Sequence, residues 1–266
     1  KLINLIKRIV LPNELNLRII LMHNIPESEH KNFQKKIMYI SKNWDFISVK
    51  DLEDYYEGRK DLIGKKVLLT FDDGFHSNRV IADKILNPLG IEALFFVVGN
   101  FVKKETHKEQ KNFIVSNLYP DWRGHEYPSE LNEMKNMNYD DLRHLAKHGH
   151  TIGYHTANHK NLAKIENENE LMDEIIHGSQ ELEQVLGFSI KHFSFGFGNV
   201  QYFSKKALNI ASNHFDYIYT GMTGNNTGIS PIWALRRDTI SLSDSNFQIS
   251  SFLEGSADYR YKNGFR

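Results

Sequence analysis

The chain has 266 residues, enough for one large α/β domain or two small ones. Its 33 Lys and Arg are balanced by 33 Asp and Glu, which leaves no electrostatic footprint for nucleic acid. The lack of cysteine removes disulfides, thiolate metal ligands and cysteine nucleophiles. No run approaches the roughly 18 apolar residues of a membrane span.

In chain order, residues 1–16 begin as an amphipathic helix, with Leu2, Leu5, Ile6, Ile9 and Val10 on one face and Lys1, Lys7 and Arg8 off it. That pattern fits a helix packed on the domain or a peripheral membrane contact through residues 1–12. As it stands the segment is too short and too charged for a secretory signal. Residues 17–22 predict a buried strand ending at His23, followed by helices at 28–43 and 51–56. The run "VLLTF" predicts a strand over 66–71, ending in Asp72-Asp73. A helix over 77–87 is stopped by Pro88 and Gly90, and 91–98 predicts another buried strand. Residues 103–138 are polar, carry scattered aromatic residues and read as a long insertion loop, which in a compact domain is usually functional. Helices at 139–148, 166–186 and 201–213 then alternate with strands at 150–154, 190–195 and 215–220. One or two strands at 233–242 and a helix at 246–254 complete the pattern.

With no repeat or linker, residues 1–266 read as one α/β domain. Strands alternating with helices predict a parallel sheet, open or closed into a barrel. His23, Asp72-Asp73 and His155 all follow C-terminal strand ends, the edge where parallel α/β folds build their sites. His155 and His159 are spaced i, i+4, which on a helix or tight turn brings two imidazoles to one point. Two histidines and one carboxylate leave open positions on a divalent cation, where water is acidified. One Asp of the pair then serves as ligand and the other as general base.

These residues resemble the polysaccharide deacetylases, carbohydrate esterase family 4. The likeness rests on "TFDDG" at 70–74 and "HTANH" at 155–159, with "FFVVGNFV" at 95–102 and "MNYDDLRHLAKHGHTIGYHT" at 137–156 in support. It implies a distorted (β/α) barrel and removal of an acetyl group, usually from an N-acetylated hexosamine. It also implies Asp72 as catalytic base and Asp73, His155 and His159 as ligands of a divalent metal, Zn²⁺ most simply, with Co²⁺, Ni²⁺ or Fe²⁺ as alternatives. The family's third motif, Arg-x-Pro-(Tyr/Phe)-Gly or a Tyr-Pro-(Tyr/Phe)-Gly variant, is matched only at its end. In "KHFSFGFGN", 191–199, Phe197-Gly198 align, Gly196 stands at the proline and Ser194 at the arginine. By resemblance the Phe197 N–H helps hold the oxyanion. The Pro-to-Gly change predicts a looser loop. The missing arginine, which would hold the base, has a substitute in "ALRRDTI", 234–240, with Arg237 the closer match and Arg236 the alternative. No C-terminal histidine motif is present. "IILMHNI", 19–25, is similar to the permuted branch, the poly-N-acetylglucosamine deacetylases, in which the histidine comes first, and this implies His23 as general acid.

The implied substrate is an N-acetylated glycan of bacterial origin or its lipid-linked precursor, handled at the cell envelope or the cytoplasmic face of the membrane. Tyr119, Trp122, Tyr127, Tyr202 and Trp233 are candidate platforms for sugar rings. The alternatives are a glycan-binding protein on the same scaffold, and a deformylase or small-amide hydrolase.

Overall fold

The computed structural model describes residues 14–123, 125–227 and 231–261. The expected helix at 1–12 lies outside them, and Asn16 already belongs to the first strand.

Every residue from Leu17 to Met22 is buried in β1 (Asn16–Met22), which pairs in parallel along its whole length with β3 (Lys65–Phe71). Runs apolar on both faces suit a sheet covered on both sides. The remaining strands are β2 (Asp45–Phe46), β4 (Ala93–Val97), β5 (Thr151–Tyr154), β6 (His192–Ser194), β7 (Tyr217–Tyr219) and β8 (Asp238–Thr239). Their order is β7-β6-β5-β4-β3-β1-β8, with β2 beside the first half of β3, and every named pairing is parallel. The segment 235–239 closes the ring. Leu235 bridges Tyr219 of β7, while Asp238 and Thr239 pair with Ile20 and Leu21 of β1. The result is the expected distorted (β/α) barrel.

Alternate side chains divide into two apolar clusters, as a strand period of two requires. Leu17, Ile19, Leu68, Leu94, Phe96, Tyr217, Tyr219 and Leu235 fill the barrel. Ile20, Met22, Val67, Leu69, Phe71, Phe95, Tyr154 and Phe193 pack against the surrounding helices. Continuing the inner parity past the strand ends gives Leu21 and His23, Thr70 and Asp72, and Arg237, so the barrel's own alternation delivers polar groups to one rim.

Helix boundaries follow capping chemistry. Ser48 with Asp51 and Asn138 with Asp141 form reciprocal capping boxes at the starts of helices 49–56 and 139–147, and Gly187 closes helix 178–186 with φ 80°. The helix expected at 201–213 begins only at Lys205, because Ser204 caps it by accepting the Ala207 N–H. The region expected to hold strands at 233–242 contributes only β8 and a 3₁₀ turn at 232–234.

The 103–138 insertion is a correction to the reading of a loop. Helix 107–113, capped by a Thr106–Glu109 box, continues as a π turn through Leu118. Its apolar residues are bunched at 113–115 and 118, so no helical stripe is legible in the sequence. Their partners lie elsewhere: Phe75 and Phe101 join Phe113, Ile114, Val115 and Leu118 in a separate cluster. Two backbone bonds tie the insertion to the Asp-Asp turn, His76 N–H to Lys135 O at 2.8 Å and Met137 N–H to Gly74 O at 2.8 Å. The buried Asn136 amide also donates to Phe101 O at 2.7 Å.

His150 is buried beneath β4, where its Nδ1 accepts the Ala93 N–H at 3.1 Å and its Nε2 pairs with Asn87 Oδ1 at 2.9 Å. Burial, helped by the neighbouring His148, pushes it down to about 4. The unfolded chain takes up this proton near pH 6.5, the folded chain only near 4. The contribution is therefore complete above pH 6.5 and lost as pH falls toward 4, on the order of 2–3 kcal/mol. Denaturant melts of a His150→Gln variant should show a shallower loss of stability over that window than the parent. Parallel curves would remove His150 from the account.

Candidate active site

The rim cavity has a volume of about 200 Å³ and is lined by Leu21, His23, Asp72, Asp73, Leu118, Tyr119, His155, His159, Phe197, Gly198, Gly221, Arg237 and Thr239. All seven residues singled out in the sequence as site candidates, from His23 to Arg237, thus face one space.

Asp72 follows the strand's alternation inward, while Asp73 turns out of it with φ 74° and Gly74 follows at 88°. That turn aims two adjacent carboxylates in different directions. A Cβ at Gly74 would sit 3.2 Å from Val97 Cβ, so the turn also needs glycine for space. After β5 the chain makes a tight turn rather than a helix. Thr156 and His159 have φ 65° and 56°, and Thr156 Oγ1 accepts the His159 N–H at 2.8 Å. Phe197, φ 63°, is the fourth non-glycine residue in the left-handed region among the described residues, and all four are in or beside the cavity wall.

Asp73 Oδ1 lies 3.8 Å from both His155 Nε2 and His159 Nε2. The other ring nitrogens are occupied: His155 Nδ1 pairs with Ser194 O at 2.8 Å and His159 Nδ1 with Asn117 O at 3.1 Å. A carbonyl only accepts, so each Nδ1 carries the proton and each Nε2 lone pair faces Asp73. Burial pushes both imidazoles down, His159 to about 3, which keeps them neutral. Burial, reinforced by the charge of Asp72, pushes Asp73 well above the carboxylate range. Two neutral nitrogen donors and a carboxylate short of positive charge suit a divalent cation. These three residues are the one such cluster among the described residues.

Asp72 has the opposite environment. Burial alone would raise it, but the charge of the Arg237 guanidinium holds it below its ordinary value. Arg237 is fully buried and grips Asp72 with two parallel bonds, Nη1 to Oδ1 at 2.6 Å and Nη2 to Oδ2 at 2.8 Å. Nη2 also donates to Ser194 Oγ at 2.6 Å. Arg236, the alternative, turns away and donates to Thr223 O at 3.1 Å. Ser194, at the motif's arginine position, therefore receives an arginine that arrives from the position just before β8.

The altered third motif is packed tightly. A Cβ at Gly196 would meet His159 Cδ2 at 3.2 Å, so the ring occupies the space of the absent proline side chain. Gly221 N–H donates to Gly198 O at 2.7 Å, and a Cβ at Gly198 would meet Gly221 N at 2.7 Å. The expected looseness is therefore offset by close backbone contact. The Phe197 ring lies tilted beside His159, 4.5 Å between ring centres and 54° between planes, and the residue's N–H has no acceptor among the described residues. His23 makes no hydrogen bond to a described residue. Its side chain is exposed at the cavity it lines, while burial by the surrounding protein pushes its pKa down, with Arg237 opposing the upward pull of Asp72.

The profile of the polysaccharide deacetylase family matches residues 59–215, more than half of the chain. The chain belongs to the polysaccharide deacetylase family. Solved deacetylases share its fold. Streptococcus pyogenes PplD superposes with a TM-score of 0.68 at 15% identity, covering 90% of this chain and 98% of its own. IcaB from Ammonifex degensii gives 0.68 at 20% identity over 91% and 100%. The de-N-acetylase from Aggregatibacter actinomycetemcomitans gives 0.66 at 16% over 90% and 98%. No curated protein matches the sequence.

In this family member some contacts were not legible as motifs. Glu174, buried in the helical segment 168–186, accepts the Asn158 N–H at 2.8 Å and its Nδ2–H at 2.7 Å, clamping the turn that carries His159. Of the candidate sugar platforms, Tyr119 and Trp122 stack on each other at 4.5 Å, Tyr202 lies 5.2 Å from Phe197, and Tyr127 and Trp233 are exposed. Glu174→Gln replaces one acceptor by a donor facing Asn158. It is expected to cost about 1–3 kcal/mol of stability and to weaken Zn²⁺ binding about tenfold. Melting curves and calorimetric Zn²⁺ titration measure both, and unchanged Zn²⁺ affinity would separate the clamp from the site.

Proposed function

We propose that the protein is a metal-dependent hydrolase that removes N-acetyl groups from an aminosugar of a bacterial glycan or its lipid-linked precursor. The observation that carries this reading is the division between the two aspartates. Asp73 faces two imidazole lone pairs, and Asp72 is held ionised beside them by Arg237. Asp73, His155 and His159 would hold the divalent cation, Zn²⁺ by donor chemistry. Such an ion, when bound, acidifies water and polarises an amide carbonyl.

The remaining chemistry belongs to the chain. Asp72 takes a proton from the attacking water, and Arg237 fixes the orientation of its carboxylate. The Phe197 N–H, left without an acceptor, donates to the oxygen that gains charge in the tetrahedral intermediate. His23 protonates the departing nitrogen. Its lowered pKa makes the charged form a strong acid, and its cavity-facing edge is open to solvent protons. The C–N bond breaks, releasing acetate and a free amine.

The small cavity, bounded by Leu21 and the abutting Gly198 and Gly221, fits a short acyl group. In support, PplD was solved in complex with acetate, the acid this reaction would release. A glycan-binding role leaves the ionised, arginine-held Asp72 beside the cluster without a purpose. With Zn²⁺ supplied, Asp72→Asn should lower amine release from N-acetylglucosamine oligomers by about 10²–10⁴-fold at retained metal content. Asp73→Asn should lose both metal and activity. Near-normal turnover by Asp72→Asn would sink the assignment.

A further inference from the structure

Tyr119 is the one phenol in the wall of the cavity among the described residues, and it reaches there from the insertion. Its ring is poorly placed for stacking on a sugar. One neighbour, Trp122, lies parallel at 4.5 Å and 12°, and Phe75 lies at 6.3 Å and 22°. What the ring leaves available is its hydroxyl. That oxygen makes no hydrogen bond to a described residue. It is also not sealed from solvent, unlike the Tyr154 hydroxyl, which is buried without a partner.

The segment carrying Tyr119 is anchored to the metal-ligand turn rather than hanging over it. Asn117 O receives His159 Nδ1 at 3.1 Å, Asn117 Nδ2 donates to Asn158 O at 2.8 Å, and Tyr119 N–H closes on Ile114 O at 2.8 Å. A donor fixed by stacking and backbone bonds, yet unused within the protein, is preorganised for a ligand. Leu118, its neighbour in the wall, offers no competing polar group.

We propose that the Tyr119 O–H donates a hydrogen bond to an oxygen of the bound aminosugar substrate, making Tyr119 a substrate-contacting specificity residue. This rests on the function proposed above and adds the insertion to the recognition surface. A site built around such a donor discriminates strongly against ligands that leave it unpaired.

The test compares Tyr119→Phe and Tyr119→Ala in the full chain reconstituted with Zn²⁺, using N-acetylglucosamine oligomers as substrate. Tyr119→Phe keeps the stack on Trp122 and removes only the hydroxyl. It is expected to lower kcat/KM by about 10–100-fold and to weaken oligomer binding measured by calorimetry, with melting temperature and Zn²⁺ content unchanged. Tyr119→Phe within twofold of the parent while Tyr119→Ala fails would show that the ring only packs, and would overturn the proposal. A parent chain that binds Zn²⁺ but releases no amine would instead overturn the function on which it rests.

Discussion

The ion pair between Arg237 and Asp72 organises the rim of the barrel. Burying either charge alone costs several kcal/mol, and a buried pair is tolerated only when its remaining donors are met. Here all five guanidinium N–H groups are engaged. Nε donates to Thr220 O, Nη1 to Thr70 Oγ1 and Asp72 Oδ1, and Nη2 to Asp72 Oδ2 and Ser194 Oγ. The plane also lies over the Phe96 ring at 5.1 Å. One side chain thus links β8 to β3, to β6 and to the end of β7. The closure of the barrel at 235–239 and the ionisation of Asp72 have the same cause.

The chemistry of the neighbouring carboxylate follows from this pair. Arg237 spends its geometry on Asp72 and leaves Asp73 with burial, a like charge beside it and two uncharged imidazoles. Without further positive charge the two aspartates cannot both be ionised cheaply. The arrangement separates two environments that identical residues could not otherwise have: one carboxylate is compensated by a charge from within the protein, and the other faces two neutral imidazoles. Ser194 couples the halves, since its hydroxyl meets Arg237 and its carbonyl fixes the His155 tautomer.

Features set by local pattern were legible in the sequence. The run "RIILMH" and the run "VLLTFDD" announce strands buried on both faces, and they pair along seven residues in the structure. The spacing of His155 and His159 brought two nitrogens toward one carboxylate. What could not be read depends on contacts distant in sequence. Position in the segment favours Arg237 over Arg236, but only the pairing of β8 with β1 sets which one points inward. Glu174 looks like any acidic residue on a helix until Asn158 folds back onto it. The helix at 107–118 hides because its apolar residues meet Phe75 and Phe101 rather than a stripe of their own. The Tyr119 ring could be noticed as aromatic, but not that its faces would be taken and its hydroxyl left.

Four left-handed non-glycine residues at one site also need an energetic account. At about 1–3 kcal/mol each, the upper end would approach the whole stability of a domain, about 5–15 kcal/mol. The strain must therefore lie near the lower end, and Asp73 and His159 are of kinds that visit this region more readily than β-branched residues do. Thr156 is the costlier case, and it is the one whose side-chain oxygen accepts the His159 N–H and whose carbonyl accepts the Gly99 N–H at 3.0 Å. Each strained turn is similarly held from a second element: Asp73 beside the 135–137 strip, His159 by Glu174 through Asn158, Phe197 by the Gly198–Gly221 contact. Relaxing any one of them would break bonds to a neighbouring wall. The Asp73, His155 and His159 side chains therefore stay aimed at a common point because the surrounding contacts leave the backbone no cheaper conformation.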